Sequence, residues 1–465
     1  KILFVRDGRS QRGIELGEQM SELIISVSGL RGIVGDTLTP DVAVRYVAAF
    51  AGKLPGGPIL VGRDGRASGP MLSRAIIAAL SACGRDCIDV DVAATPTIGV
   101  LVRQRGAAGA VQISASHNPP PYNGIKLFAA SGRVLDAATG VLVRDAYFES
   151  EAPWVSFDQL GSVSREADPH EPHLQAVLKT VDQAAIRAQS FRVLLDSNHG
   201  AGSLLGRRLL EALGCQVIAL GDVADGNFAH PPEPTAENLR GVASRVREEG
   251  CAVGFCQDPD ADRLALVDAD GRYIGEEYTL ALCVQRALAQ AAPQSTIVIN
   301  GATSGMSERL AAAAGVKTLR SAVGEANVAD MMIANKAAYG GEGNGGPIDP
   351  RVGYVRDSFV GMAQVLDLMT SRGKSLAELA DALPQLHIHK TTAKVSADRL
   401  PALFNSLASL HADAVADRGD GLRWAWDDKW LLVRGSNTEP IVRLSAEAAS
   451  EHEAKRLCQT AAELI

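Results

Sequence analysis

Ala108-Gly109-Ala110-Val111-Gln112-Ile113 runs into Ser114-Ala115-Ser116-His117-Asn118-Pro119-Pro120-Pro121-Tyr122-Asn123-Gly124-Ile125-Lys126, an apolar stretch followed at once by a polar, proline-rich one. The first half reads as a strand. Three successive prolines can continue neither a helix nor a hydrogen-bonded ladder, so the second half is a loop. Open α/β sheets place their ligand sites on loops at strand ends. Here two hydroxyls, an imidazole, an amide and, a few residues on, a lysine are held on stiff backbone, as nucleophilic or phosphoryl chemistry requires. The same residues also suit a polar turn closed by local Asx- or Ser-turn bonds. Both readings stand on this stretch alone.

Outward from it, one grammar recurs three times: apolar strand, small-residue turn with glycine, Ala/Leu-rich amphipathic helix, glycine stop, second strand. The segments are Ile59–Val90, Val193–Leu220 and Thr296–Val323. Each is a βαβ-type unit, so the economical fold is three similar mixed α/β domains. Ser156–Pro172, polar and acidic, reads as the first linker. Asp270-Gly271 between apolar runs signals a hairpin at the next boundary. From His387 the pattern changes to strand, helix and a hairpin-like run over Trp424–Val433, a C-terminal α+β domain of about 80 residues. The expected domains are 20–165, 166–270, 271–383 and 384–465.

The chain's 465 residues suit three or four domains. Hydrophobic content of 46% with 22% charged residues is ordinary for a soluble protein, and no run approaches the ~18 apolar residues of a membrane span. Lys1–Val5 is too short for a signal-peptide core, so export is not expected and the expected location is cytoplasmic. Met20 reads as a native start, with residues 1–19 as an extension outside the fold. The seven cysteines are odd in number, lie mostly in apolar runs and form no Cys-x-x-Cys pair, which reads as a reduced protein. A net charge of −8 argues against nucleic-acid partners. Any anionic ligand must be met by arginines concentrated locally.

Three stretches supply such chemistry. Asp258, Asp260 and Asp262 alternate in a loop between apolar strands and can converge on one hard cation; an acidic turn is the plainer alternative. An EF-hand is excluded, because its glycine position falls on Arg263 and its glutamate position on Ala269. Gly340–Gly346 contains Gly-x-Gly-x-x-Gly, but Pro347 and Pro350 follow where a dinucleotide fold needs a helix. A flexible loop carrying Glu342 and Asn344 to a polyhydroxyl ligand fits better, beside the reading as a connector. Arg434-Gly435-Ser436-Asn437-Thr438-Glu439-Pro440, with Arg443 beyond, has the composition of a phosphate cradle, or of a Ser/Asn turn with a salt-bridged arginine. Arg63 and Arg66, in Gly62-Arg63-Asp64-Gly65-Arg66, read as structural.

Ser-Ala-Ser-His-Asn-Pro at 114–119 resembles the phosphoserine loop of the α-D-phosphohexomutases, the family of phosphoglucomutase, phosphomannomutase and phosphoglucosamine mutase. The resemblance implies that Ser116 is the phosphorylated serine, with Ser114 where threonine is usual. The aspartate stretch resembles the family's Asp-Gly-Asp-Ala-Asp-Arg loop, with Pro259 in place of glycine. It implies Mg2+ held by Asp258, Asp260, Asp262 and a Ser116 phosphoryl oxygen. The glycine stretch resembles the sugar-specificity loop Gly-Glu-x-Ser-Gly-His, with Asn344 for serine and Gly346 for histidine. That implies Glu342 and Asn344 on the sugar and no histidine acid/base at this loop. The match to Arg-x-Ser-Asn-Thr-Glu-Pro implies Arg434, Ser436, Asn437, Thr438 and Arg443 on the substrate's non-reacting phosphate. Arg31, in Ser28-Gly29-Leu30-Arg31-Gly32, is implied at the active serine's phosphate, and Arg263 at the substrate. The motifs follow the family order, and the family fold implies three such domains and a smaller fourth around a central cleft.

The implied reaction moves a phosphoryl group between O1 and O6 of a hexose phosphate through phospho-Ser116 and a bisphosphorylated sugar. Lys126 is the candidate acid/base and His117 an auxiliary. A lysine buried among cationic groups would have its pKa lowered toward neutrality. Mannose or glucose phosphate is the expected substrate, with phosphoglucosamine mutase the alternative, a hexose bisphosphate as activator, and a monomer or homodimer as the assembly. A metal-dependent sugar phosphatase using Asp258 as nucleophile, or a sugar-phosphate sensor without turnover, is the rival class. The first leaves the Arg434 and Ser116 loops unexplained, and the second has no use for Lys126 and the aspartates.

Overall fold

The computed structural model describes residues 23–26, 29–292, 294–395, 399–407, 410–436 and 441–465. The expected extension at 1–19 and the cradle residues Asn437 and Thr438 lie outside these residues. Four sheets are present among them: seven-stranded, two four-stranded and five-stranded.

The three βαβ segments form as read. Ile59–Arg63 and Cys87–Val92 pair in parallel around helix Gly69–Ala82, Arg192–Asp196 and Gln216–Leu220 around Ser203–Ala212, and Thr296–Asn300 and Lys317–Ser321 around Met306–Ala313. In each sheet a third parallel strand joins the first strand of the unit and then turns back as an antiparallel partner. These returns are Gly109–Ile113 into Tyr122–Ala129, Val253–Gln257 into Leu264–Asp268, and Tyr339–Glu342 into Gly346–Ile348. The strand order of the unit is therefore the same in all three sheets. The serine, aspartate and glycine loops each occupy the turn between the third strand and its return. One topological position, used three times, carries three different sets of polar residues.

The first sheet is extended by Ile24–Ser26 and Gly29–Ile33 at one edge and by Val163–Arg165 at the other, the last drawn from the stretch read as linker. The C-terminal domain is an antiparallel sheet in the order His387–Lys394, Ile441–Ala448, Trp430–Gly435, Leu422–Ala425, Val415–Asp417, backed by helices Leu400–Leu407 and Glu451–Ala462. All seven cysteines are buried and free.

The largest apolar cluster spans the second and third domains, from Leu174 to Leu386, and takes in Ala94 and Val100 of the first. Helix Ser358–Arg372 lies inside it, capped by Asp357, whose Oδ1 accepts from the backbone N–H groups of Phe359 and Val360. Burying each of its large apolar side chains contributes roughly 1.5–3 kcal/mol. Its polar members are paired: Gln364 with Tyr339 and Asp349, Asp367 with Arg286. The first and C-terminal domains have clusters of their own. The C-terminal sheet is tied to the third domain by polar contacts. Buried Glu447 accepts from Ser304 Oγ and from Gly305 N at 2.8 Å, and Asp420 accepts from Val323 N at 2.8 Å.

Candidate active site

The serine loop is held by Arg66. Its buried guanidinium donates to the carbonyls of Ser116 and Asn118 at 2.6 Å and of Pro119 and Tyr122 at 2.9 Å, while Nε reaches Asp64 Oδ2 at 3.2 Å. Ser114 Oγ donates to the same Asp64 oxygen at 2.7 Å and accepts from Ser116 N at 2.9 Å. This scaffold keeps Ser116 at φ +50, a left-handed conformation that a non-glycine residue holds only where its surroundings impose it. Its Oγ thereby points across to the second domain. It donates to Asp258 Oδ2 at 2.7 Å, with His117 Nδ1 3.3 Å away.

Asp258, Asp260 and Asp262 are fully buried. Asp258 Oδ1 accepts from the backbone N–H groups of Asp262 and Arg263, both at 3.1 Å, which folds the loop on itself. Lys126 Nζ donates to Asp260 Oδ2 and, at 3.0 Å, to Asp262 Oδ2, and Thr95 Oγ1 donates to Asp260 Oδ2 at 2.6 Å. Burial, reinforced by its two neighbours, pushes the Asp258 carboxyl well above the usual range. Burial pushes Asp260 and Asp262 the same way, but Lys126 and, at Asp262, Arg356 outweigh it and hold both below that range.

Lys126 itself comes out opposite to expectation. Burial lowers its pKa, yet Asp260 and Asp262 outweigh burial, so the ammonium is held above its ordinary value. A reading along the chain could not see that the loop facing Lys126 is anionic rather than cationic. Burial, followed by the charges of Arg263 and Arg31, pushes His117 down to about 3 and keeps the ring neutral. Arg31 Nη1 donates to Asn118 Oδ1 at 3.2 Å, beside the serine loop.

The glycine loop is a tight hairpin rather than a flexible loop. Gly343 packs so closely that a Cβ there would lie 1.8 Å from Glu277 Oε2, and Gly345 sits at φ +80 against the Leu264 carbonyl. Glu342 is buried and already accepts three bonds, Oε1 from Asn300 Nδ2 at 2.7 Å and Gly324 N at 3.0 Å, and Oε2 from Arg356 Nη1 at 2.9 Å. Asn344 Oδ1 is buried with no hydrogen-bond partner among the described residues. Arg356, absent from the sequence reading, joins the third domain to the second, since its Nη2 donates to Asp262 Oδ2 at 2.6 Å. Asp357-Ser358 ahead of an apolar run is a helix-start signal, and the arginine before it was the available clue.

Ser116, His117, Lys126, Arg31, Asp258, Asp260, Asp262 and Arg263 thus belong to one charged cluster, with Glu342 attached through Arg356. Arg434 and Arg443 stand opposite each other in the C-terminal sheet, Arg434 Nε lies 3.2 Å from Asp420 Oδ2, and Ser436 N donates to Ile441 O at 2.9 Å.

A cation fits the aspartate loop. The three carboxylates offer oxygens within 4.8 Å of one another, and the Oδ1 atoms of Asp260 and Asp262 are buried without a hydrogen-bond partner among the described residues. An all-oxygen donor set suits a hard divalent ion.

Family models for phosphoglucomutase/phosphomannomutase match in order along the chain: alpha/beta/alpha domain I at residues 23–153, domain II at 171–271, domain III at 276–387 and the C-terminal domain at 393–464. The chain belongs to the α-D-phosphohexomutase family. A phosphoglucomutase/phosphomannomutase of Thermococcus kodakarensis is 36% identical over 94% of this chain and 97% of its own length. A probable phosphoglucosamine mutase of Methanopyrus kandleri is 32% identical over 92% and 95%. The crystal structure of a phosphoglucomutase/phosphomannomutase family protein from Burkholderia thailandensis superposes with a TM-score of 0.82 at 26% identity, covering 95% of this chain and 96% of that one. Phosphohexomutases are isomerases, intramolecular phosphotransferases, and this phosphohexomutase has their four α/β domains. Among its described residues no helix is long and apolar enough to cross a membrane.

Proposed function

We propose that the chain interconverts hexose 1- and 6-phosphates through phospho-Ser116, with mannose or glucose phosphate preferred. The observation that carries this reading is the 2.7 Å hydrogen bond from Ser116 Oγ to Asp258 Oδ2, which sets a strained, presented hydroxyl against a buried three-carboxylate loop. With hexose 1-phosphate, the Oγ–P bond breaks as a P–O6 bond forms and the O6 proton is lost. After the bisphosphorylated sugar has turned over, the P–O1 bond breaks, Oγ–P re-forms and O1 gains a proton. A hexose bisphosphate primes the serine. Arg31 faces the serine's phosphate, Arg434, Ser436, Asn437, Thr438 and Arg443 hold the other one, and Arg263, Glu342 and Asn344 meet the sugar.

Asp258, Asp260, Asp262 and Ser116 would hold Mg2+, which supplies positive charge against the carboxylates and the moving phosphoryl group. Lys126, held as an ammonium, is ready as the acid. As base it must shed the proton that Asp260 and Asp262 keep on it, so its carboxylate partners have to be neutralised first. His117, neutral beside Ser116 Oγ, is the auxiliary.

Glu342 bears on the sugar. Its carboxylate shares Arg356 with Asp262 and Glu325 and already accepts from Asn300 and Gly324, so an ammonium at C2 gains less there than it would from a free carboxylate. That favours mannose or glucose phosphate over glucosamine phosphate. Relatives carrying the name phosphoglucosamine mutase keep the alternative open. Intact-mass measurement after incubation with glucose 1,6-bisphosphate tests the carrier: one phosphate per chain, mapping to Ser116, is expected, and its absence sinks the proposal. Comparison of kcat/KM for the three sugar 1-phosphates tests the preference. A tenfold advantage of glucosamine 1-phosphate, about 1.4 kcal/mol, would reverse it.

A further inference from the structure

His173 is completely buried, belongs to the second domain and has no part in the chemistry proposed above. Both ring nitrogens are used, and both partners come from other domains. Nδ1 lies 2.9 Å from Thr97 Oγ1 of the first domain, and Nε2 lies 2.7 Å from Asp357 Oδ2 of the third. An ionised carboxylate can only accept, so Nε2 carries a proton, and in a neutral ring Nδ1 then accepts the threonine hydroxyl. Phe359 stands edge-on to the imidazole, with centroids 5.2 Å apart, and fixes its plane.

Each partner of His173 is a near neighbour of a residue that grips the aspartate loop. Two residues before Thr97, Thr95 donates from Oγ1 to Asp260 Oδ2 at 2.6 Å and from its backbone N to the Asp260 carbonyl at 2.9 Å. Immediately before Asp357, Arg356 donates to Asp262 Oδ2 at 2.6 Å. Immediately after it, Ser358 Oγ donates to the Ala261 carbonyl at 2.6 Å and accepts from Gln257 Nε2 at 2.8 Å. The path from Asp260 through Thr95, Thr97, His173, Asp357 and Arg356 back to Asp262 therefore closes on itself.

We infer that His173 is a positioning residue that closes a three-domain hydrogen-bonded belt around the aspartate loop and so presets Asp260 and Asp262 for a divalent cation. The inference rests on the metal reading of that loop. Three buried carboxylates repel one another, and a loop carrying them spreads unless something outside it fixes its backbone and side chains. Lys126 and Arg356 supply opposing charge. Thr95, Ser358 and the His173 link supply direction, and His173 is the one member that ties the first domain's grip to the third's.

The experiment is manganese(II) binding to the full dephosphorylated chain, followed by electron paramagnetic resonance without substrate. Thr97→Val, which keeps shape and removes the hydroxyl, and His173→Phe should each weaken binding threefold or more. His173→Gln, which can still accept from Thr97 and donate to Asp357, should stay within threefold of wild type. Binding within threefold of wild type in Thr97→Val, or in a folded His173→Phe, overturns the belt, as does a His173→Gln protein weakened beyond threefold. Should His173→Phe not fold, Thr97→Val and His173→Gln decide. Asp260→Asn separates the two levels. If wild type binds no manganese, or Asp260→Asn binds as well as wild type, the metal reading falls and the belt with it. If Asp260→Asn loses binding while Thr97→Val and His173→Phe keep it, the belt alone falls.

Discussion

Arg66 Nη2 donates to the main-chain carbonyl of Ser116 at 2.6 Å. Three further loop carbonyls and Asp64 also accept from the guanidinium, which lies 5.0 Å over the Phe228 ring, so one buried side chain fixes the backbone of the whole serine loop. A planar fork with five donors can do this, whereas an ammonium has three donors and no plane. Arg66→Lys should therefore cost on the order of 3 kcal/mol of stability and lower kcat roughly a hundredfold. Urea denaturation and a coupled mutase assay check both, and wild-type values in either would contradict this role.

Ser116→Ala should abolish phosphate incorporation and turnover while the fold persists. Because position 116 sits at φ +50, Ser116→Gly should be more stable than Ser116→Ala by about 1 kcal/mol. Parallel denaturation curves measure the difference. Equal stabilities would mean that the loop relaxes out of the left-handed region once the hydroxyl is gone.

Glu276 opens helix Glu276–Leu288, and burial raises its carboxyl to about 7, with Oε1 lacking a hydrogen-bond partner among the described residues. Between its ordinary value and about 7 the folded chain holds a proton that the unfolded chain has released. Stability should therefore fall as pH rises through that window. Glu276→Gln should flatten the fall, with its advantage over wild type largest at the upper end. Melting temperatures from about pH 5 to 7.5 test the sign; parallel curves for the two proteins would refute it.

Arg434→Gln should act on binding. A phosphate held alike in ground and transition states contributes to KM rather than kcat, and a charge-assisted contact is worth about 1.5–3 kcal/mol, roughly ten- to hundredfold in KM. Steady-state kinetics that show kcat collapsing at unchanged KM would place Arg434 in the chemistry instead.

What the sequence revealed and what it concealed divide by distance along the chain. The βαβ units are legible because strand, turn and helix follow within about thirty residues, each with a local periodicity. The aspartate loop is legible because alternating carboxylates crowd five residues. Arg356 reaches Asp262 across 94 residues and Thr95 reaches Asp260 across 165, and no local pattern marks either. Lys126 shows the same limit in electrostatics: its position was read from the chain, but the sign of its surroundings is set by a loop of another domain. Arg66 reads as structural in the sequence, and the structure gives that word content, since it is the serine loop that it structures.

The largest apolar cluster joins the second and third domains and reaches Ala94 and Val100 of the first, whereas the C-terminal domain's cluster stands apart, and this divides the molecule's cooperativity. Amide hydrogen exchange should report residues 174–386 opening as a unit at the highest free energy, while the C-terminal sheet opens alone at lower cost. Its attachments through Glu447, Asp420, Arg423, Lys390 and Asp428 are polar, the kind of contact that water can replace during an excursion. In the reaction proposed above, a bisphosphorylated sugar turning over between two half-reactions would need a wall that yields while the charged floor beneath it stays rigid, and the small terminal domain is thermodynamically the part free to be that wall.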